Sequence, residues 1–264
     1  MSADPGDFRQ LLATHTAPAA PELVRAEDGH QVRCLACGHR CRISPGGHGI
    51  CHVRFNDRGT LRVPFGYVSS LAADPIEKKP FYHAYPGTEA LSFGMLGCDF
   101  HCPFCQNWIT SQTLRDRHAV AEPHRITPEQ IVQHAVKRGC RTLSSTYNEP
   151  LITAEWAIQI FKLGKERGLV GSFVSNGHGT PEVLEFIRPY VKLMNIDLKA
   201  FNQQTYRRLG GALENVLNTI RLAWQMDFWI EIVTLVVPGM NDSDDELTRM
   251  ADFIAGLSPD IPWH

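Results

Sequence analysis

This chain of 264 residues has no apolar run long enough to cross a bilayer. A span needs about 18 to 20 predominantly apolar residues, and the best stretch, Phe228 to Met240, is broken by Glu231 and Pro238. Residues 1 to 30 contain no apolar h-region, which excludes a secretory signal and predicts a mobile leader. There is no excess of positive charge: 26 Lys and Arg stand against 28 Asp and Glu, a formal net charge of −2. No overall field therefore draws in nucleic acid. Gly-x-Gly-x-x-Gly and phosphate-loop patterns are absent too, which excludes the common dinucleotide and nucleotide cradles. These absences predict a cytoplasmic protein with neither membrane nor nucleic acid as a partner.

What the sequence does have is cysteine, eight in all. Without an export signal they imply a reducing compartment, where clustered cysteines are metal ligands or redox groups rather than disulfides. Cys34, Cys37, Cys41 and Cys51 lie in a glycine-rich module over residues 31–60, too short for a core of its own and expected to need a metal. Four thiolates make a closed site. Zinc is the preferred occupant, since the spacing matches neither ferredoxin pattern, and a second iron–sulfur cluster is the rival. His39, His48 and His52 read as bystanders. Cys98, Cys102 and Cys105 form a Cys-x3-Cys-x2-Cys loop. Three thiolates there can hold three irons of a [4Fe–4S] cube and leave the fourth iron open. His101, inside the loop, is poorly placed to close it. A zinc site completed from elsewhere is the alternative. Cys140 reads as a small buried residue beside a strand.

From Glu89 onward the pattern alternates between strand and helix. Strands are predicted at Ala90–Leu96, Thr142–Thr146, Leu169–Ser175, Val191–Ile196 and Phe228–Val237, with a sixth beginning at Ile261-Pro-Trp-His. Thr127 with Gln130, and Ser243 with Glu246, read as capping boxes opening helices. Leu151–Arg167, the run after Thr180-Pro181, and the run through Val216, Leu217, Ile220 and Ala223 supply the other helices. Repeated β–α units imply an α/β fold with a parallel sheet covered by helices, either a barrel, a partial barrel or an open doubly wound sheet. Polar residues follow strand after strand: Asn148-Glu149, Ser175-Asn176-Gly177-His178, Asp197 with Lys199, and Pro238 to Asn241. In barrels, catalytic groups occupy those strand ends.

The cysteine loop, with Phe104 before its last cysteine, resembles the signature of radical S-adenosylmethionine (SAM) enzymes. The likeness extends to the radical SAM enzyme of the AmmeMemoRadiSam system, a relative of the glycyl-radical (pyruvate formate-lyase) activating enzymes. It is carried by Asp74-Pro-Ile-Glu-Lys-Lys-Pro-Phe-Tyr-His, Pro86-Gly-Thr, Gly97-Cys98 through Cys105-Gln-Asn-Trp, Tyr147-Asn-Glu-Pro and the N-terminal cysteine module. The resemblance implies a partial (β/α)6 TIM-like barrel over residues 89–264, truncated at its sixth strand, joined to the cysteine module by a connecting segment, 61–88. It implies a [4Fe–4S] cluster on Cys98, Cys102 and Cys105 that cleaves SAM to a 5′-deoxyadenosyl radical, which abstracts hydrogen from a protein or small molecule. By the same resemblance Glu149 accepts from the SAM amino group and Ser175 and Asn176 touch the ribose. Asp197 and Lys199 lie near the SAM carboxylate, Phe104 lies on the adenine and Asn107 lies near the cluster. Lys78 and Lys79 are either substrate or partner contacts or a solvated loop. Ferredoxin or flavodoxin would be the reductant, and Memo-type and AMMECR-type proteins the partners. The rival readings are a non-enzymatic iron–sulfur electron carrier and a zinc-stabilised binding module.

Overall fold

The computed structural model describes residues 12–116, 118–119 and 121–264. Its centre is a six-stranded sheet. The strands are β1 (Ser70–Pro75), β2 (Glu89–Gly94), β3 (Thr142–Ser145), β4 (Val170–Ser175), β5 (Val191–Asp197) and β6 (Trp229–Val233). They lie side by side in that order. Strands β2 to β6 run parallel, and β1 pairs antiparallel with β2, Ser70 opposite Gly94 and Pro75 opposite Glu89. The chain's last residues add to the other edge, where Trp263 bridges in parallel to Ile232 and the His264 N–H donates to the Ile232 carbonyl at 2.9 Å.

Among the described residues six helices of seven or more residues accompany the strands: α1 (Pro128–Lys137), α2 (Ala154–Glu166), α3 (Pro181–Ile187), α4 (Gln203–Leu209), α5 (Leu213–Gln225) and α6 (Asp244–Leu257). Their apolar faces meet the sheet in one core that includes Phe93, Leu143, Phe161, Phe173, Met194, Ile196, Ile220 and Ile232. Cys140 is part of it. Thr127 and Gln130 cap α1 reciprocally, as their spacing predicts. At α6 only half of the predicted box forms. The Ser243 hydroxyl accepts from the Glu246 N–H at 3.3 Å, but the Glu246 carboxylate turns to the Phe201 N–H and the Asn202 amide, tying the loop after β5 to α6. Strand β6 is shorter than predicted because Leu235 and Val236 are exposed and Asn241 holds the backbone of residues 235 and 237 in a turn.

Residues 12–30, expected to belong to a mobile leader, are paired and packed against the module; residues 1–11 lie outside the described residues. Thr16–Pro18 pairs with Thr60–Pro64, which also pairs with Phe55–Asp57. Val24–Ala26 pairs with Val32–Cys34, which pairs with Arg42–Ile43. Each hairpin has an edge with unpaired backbone groups, and the leader supplies partners for them. Leu23 is fully buried. The module has only a small core, Val32, Cys34, Ala36 and Ile43, completed by Leu61 and Val63 from the segment that follows. The segment 61–88, expected only to connect, contains β1, an edge strand whose terminal Pro75 suits an edge.

The loop between α4 and α5 lies against the cysteine loop. The His101 N–H donates to the Leu209 carbonyl at 2.9 Å. A Cβ on Gly211 would lie 2.2 Å from Phe100 Cζ. Gly211→Ala is therefore expected to cost about 1–3 kcal/mol by overpacking, read from the shift in its urea unfolding midpoint.

Candidate active site

The loop from Cys98 to Cys105 leaves the carboxyl end of β2. Gly97 precedes it at φ +89, and a Cβ there would lie 2.7 Å from Val53 Cγ1, so only glycine lets the strand turn this close to the N-terminal module. Within the loop the Phe100 N–H donates to Cys98 Sγ at 3.4 Å, and Cys105 Sγ lies 3.2 Å from Ser111 Oγ. Burial pushes the Cys98 thiol well up, and the charges of Asp99 and Glu149 add to the effect. Burial lifts Cys102 to about 11 against the opposing charge of Lys199. Thiols in such a setting ionise when a cation is supplied, which is what a metal centre does.

Glu149 follows β3 and is buried. It accepts from Ser175 Oγ at 2.7 Å, the Asn176 N–H at 2.8 Å and the Leu151 N–H at 3.0 Å. Burial, reinforced by Asp99, nevertheless pushes it up to about 8 against those donors. Tyr147, two residues before it, sits in the left-handed region at φ +69. That conformation favours glycine and costs a bulky residue of order 1–2 kcal/mol. The side chain is held by Lys79, whose Nζ donates to Tyr147 Oη at 3.2 Å and lies 5.0 Å from the ring centroid. Asn148 fixes the same turn by accepting from the Met95 N–H at 2.9 Å.

Lys199 Nζ donates to Asp197 Oδ2 at 2.5 Å. Burial works against the lysine's charge, but Asp197 and Cys102 outweigh it and hold its pKa above the ordinary value. One cleft at the carboxyl ends of the parallel strands is lined by Cys98, Cys102, Phe104, Cys105, Asn107, Glu149, Ser175, Asn176, Asp197 and Lys199. All ten residues that the resemblance singles out on this side thus converge. Of the lysine pair, Lys79 is buried between Asp74 and Tyr147, so it supports the cleft and is not free to meet a partner. Lys78 is exposed and paired with Asp74 at 3.0 Å.

The sequence reading assigned Asp99 no role and named His178 only within the polar run after β4, without a partner. Both are buried, with His178 Nδ1 3.0 Å from Asp99 Oδ2. Their signals were present, an acid between two cysteines and a histidine after β4, but neither position announces burial.

Cys34, Cys37 and Cys51 are buried and Cys41 is partly so. Burial raises the Cys37 thiol well above its ordinary value and Cys51 to about 12, with neighbouring cysteines adding to both. Among the described residues, two sets of three candidate ligand atoms lie within 4.8 Å of one another, Cys37–Asp99–His178 and His83–Glu231–His264. Neither the four N-terminal thiols nor Cys98, Cys102 and Cys105 form such a set.

Three thiols on one strand-end loop, facing carboxylate, amide, hydroxyl and ammonium groups from the next strand ends, match a family. The radical SAM superfamily profile matches residues 94–253, and the chain belongs to that superfamily: it is a radical SAM enzyme. It is 38% identical over 240 residues to an uncharacterized protein of Methanocaldococcus jannaschii, covering 90% of this chain and 70% of that one. It is 24% identical over 176 residues to the pyruvate formate-lyase 1-activating enzyme of Escherichia coli K12, covering 64% and 69%. A domain of a pyruvate-formate lyase-activating enzyme from Bacteroides vulgatus superposes with a TM-score of 0.42 at 24% identity, covering 45% of this chain and 74% of that one. Membership implies a [4Fe–4S] cluster and SAM, and enzymes of the superfamily draw on a reductant such as flavodoxin. Among the described residues no helix is long and apolar enough to cross a membrane.

Proposed function

We propose that this chain reductively cleaves SAM in the cleft at the strand ends and directs the resulting radical at a protein or small-molecule substrate. The observation that carries the reading is the convergence of the three loop thiols with Glu149, Ser175, Asn176, Asp197 and Lys199 in one cleft. Cys98, Cys102 and Cys105 fit the cluster as its ligands. When bound, that cluster supplies the electron that splits SAM into methionine and a 5′-deoxyadenosyl radical. The remaining work belongs to the protein. Glu149 receives the SAM amino group, a charge-assisted bond in a dry setting. Ser175 and Asn176 orient the ribose, Lys199 with Asp197 faces the carboxylate, Phe104 packs on the adenine and Asn107 supports the loop. The strand ends, the N-terminal module and the α4–α5 loop exclude water around them.

In the same reading the parallel strands β2 to β6, with Trp263 beginning another, are a partial (β/α)6 barrel, and the cysteine module is a separate metal-binding unit. Zinc remains the preferred occupant of Cys34, Cys37, Cys41 and Cys51, with a second iron–sulfur cluster as the alternative. Eight free thiols support a reducing, cytoplasmic setting. Exposed Trp108 and Ile109, next to Asn107, and exposed Leu235 on the cleft wall suit a docked protein. This agrees with partners of the Memo and AMMECR types and with ferredoxin or flavodoxin as reductant.

Anaerobic incubation with SAM and a low-potential reductant tests the reading. A reduced-cluster EPR spectrum that changes on adding SAM, together with 5′-deoxyadenosine, is the expected result. An unchanged spectrum favours an electron carrier. Zinc without iron or sulfide favours a binding module.

A further inference from the structure

The two cysteine groups meet at one carboxylate. Asp99 is fully buried between them. Its Oδ1 lies 3.9 Å from Cys98 Sγ on the cleft side, and on the other side Cys37 lies within 4.8 Å in the set it forms with Asp99 and His178. Asp99 cannot relax away from either. Asn176 Nδ2 donates to its Oδ1 at 2.8 Å and lies 3.9 Å from Cys98 Sγ. His178 Nδ1 lies 3.0 Å from its Oδ2, and His39 Nε2 lies 3.3 Å from its backbone carbonyl. With the Nδ1 proton on Asp99, His178 Nε2 is left to accept from the Asn215 amide at 3.1 Å, a tautomer assigned from the network.

The module is seated on this network by backbone as well. The Gly38 N–H donates to the His178 carbonyl at 2.8 Å. A Cβ on Gly38 would lie 2.3 Å from Asn215 Nδ2 and 2.8 Å from His178 Nε2, so glycine after Cys37 is what allows the contact. The bidentate Arg40–Glu182 pair, at 2.6 and 2.8 Å, and the Thr180 hydroxyl donating to the Leu35 carbonyl at 2.5 Å fix the same interface beside it.

A second feature marks the N-terminal thiols as an anionic centre. Arg54 is 1% exposed, and its two terminal nitrogens are bonded to Glu155 and to the Ile152 carbonyl. Its Nε is buried without a partner. Glu155 already balances this guanidinium, but Cys34 and Cys51 lie close enough to act on its charge as well, so a cation faces the thiols from inside the fold.

We propose that Asp99, held by His178 and Asn176, is a positioning residue shared by two metal–thiolate centres, so that metal at Cys34, Cys37, Cys41 and Cys51 tunes the cluster at Cys98, Cys102 and Cys105. Charge changes in a water-free interior are poorly screened, and hydrogen bonds and charge near cluster sulfurs set their potentials. The inference rests on the cluster assignments proposed above, and its test separates the two.

The full chain is reconstituted anaerobically in four forms: wild type, Cys34→Ala/Cys41→Ala, Asp99→Asn, and all three substitutions together. The readouts are iron, sulfide and zinc per chain, and the midpoint potential and EPR g-values of the remaining cluster. Emptying the N-terminal site is expected to shift both spectroscopic readouts when Asp99 is present and to leave them nearly unmoved in the Asp99→Asn background, a non-additive cycle. Equal shifts in both backgrounds, or none in either, overturn the coupling while the cluster assignments stand. Wild type without iron and sulfide overturns both, whereas wild type with the loop cluster but no metal at the N-terminal thiols overturns the coupling alone. His178→Gln, which keeps the carboxylate but loses its ring donor, is the second variant if Asp99→Asn does not fold, and an attenuated shift is expected for it.

Discussion

Cys102→Ala is expected to eliminate SAM cleavage while leaving the fold in place. Cys102 is only partly buried, on a loop that leaves β2 and packs against the α4–α5 turn. It lies outside the strand pairing, and no regular element depends on it. Losing its side chain should change stability by no more than about 1 kcal/mol, in line with substitutions away from the core. The chemistry has no such tolerance. Two remaining thiols cannot hold a cube that already lacks a fourth cysteine, so iron and sulfide per chain should fall by at least half. The reduced-cluster EPR signal and 5′-deoxyadenosine should vanish. Cys98→Ala should give the same spectroscopic loss with a larger stability cost, because Cys98 Sγ accepts from the Phe100 N–H and faces Asp99 and Asn176. A Cys102→Ala chain that keeps both its signal and SAM turnover would sink the ligand assignment. One that unfolds would show that the loop, not the metal, organises this end of the sheet.

The cleft was legible because its signals are local. A cysteine spacing, a polar pair after each apolar run and a capping box such as Thr127 with Gln130 can all be read within a few residues, and the parallel sheet then gathers the strand ends. What was not legible depends on distant pairing. Nothing local in Thr16–Pro18 shows that Thr60–Pro64 offers it an edge. Strand β1 escaped notice because an edge strand need not be strongly apolar. Helix α4 escaped because its seven residues are mostly polar, although an Asn202 cap and a left-handed Gly210 bracket it. Glu246 fits a capping box by spacing, yet tertiary structure offers its carboxylate the Phe201 N–H and the Asn202 amide instead. Asp99 and His178 are 79 residues apart, and only the fold makes them a pair.

Glu149→Gln is expected to weaken SAM binding roughly tenfold to a hundredfold, the loss of one charge-assisted bond of about 1.5–3 kcal/mol. The same substitution should change how stability depends on pH in the absence of SAM, and the sign follows from the site. Burial and Asp99 raise Glu149 from an ordinary 4.5 to about 8. Between those values the folded chain keeps a proton that the unfolded chain has released. The stability this contributes is fully present below pH 4.5, declines as pH rises, and is gone once pH passes about 8. Wild type should therefore lose up to roughly 1 kcal/mol per pH unit relative to Glu149→Gln across that window and run parallel to it above. Urea midpoints of both proteins from pH 5 to 9 measure this, and titrating groups away from the site cancel in the difference. A flat difference would mean that Glu149 is already ionised, and that Ser175, Asn176 and Leu151 suffice to hold its charge. A sloping one identifies a carboxyl that stays neutral in its dry setting until a cation arrives. That behaviour suits a group whose partner is the amino end of SAM, because the site then avoids the cost of an unpaired buried charge before the ligand binds.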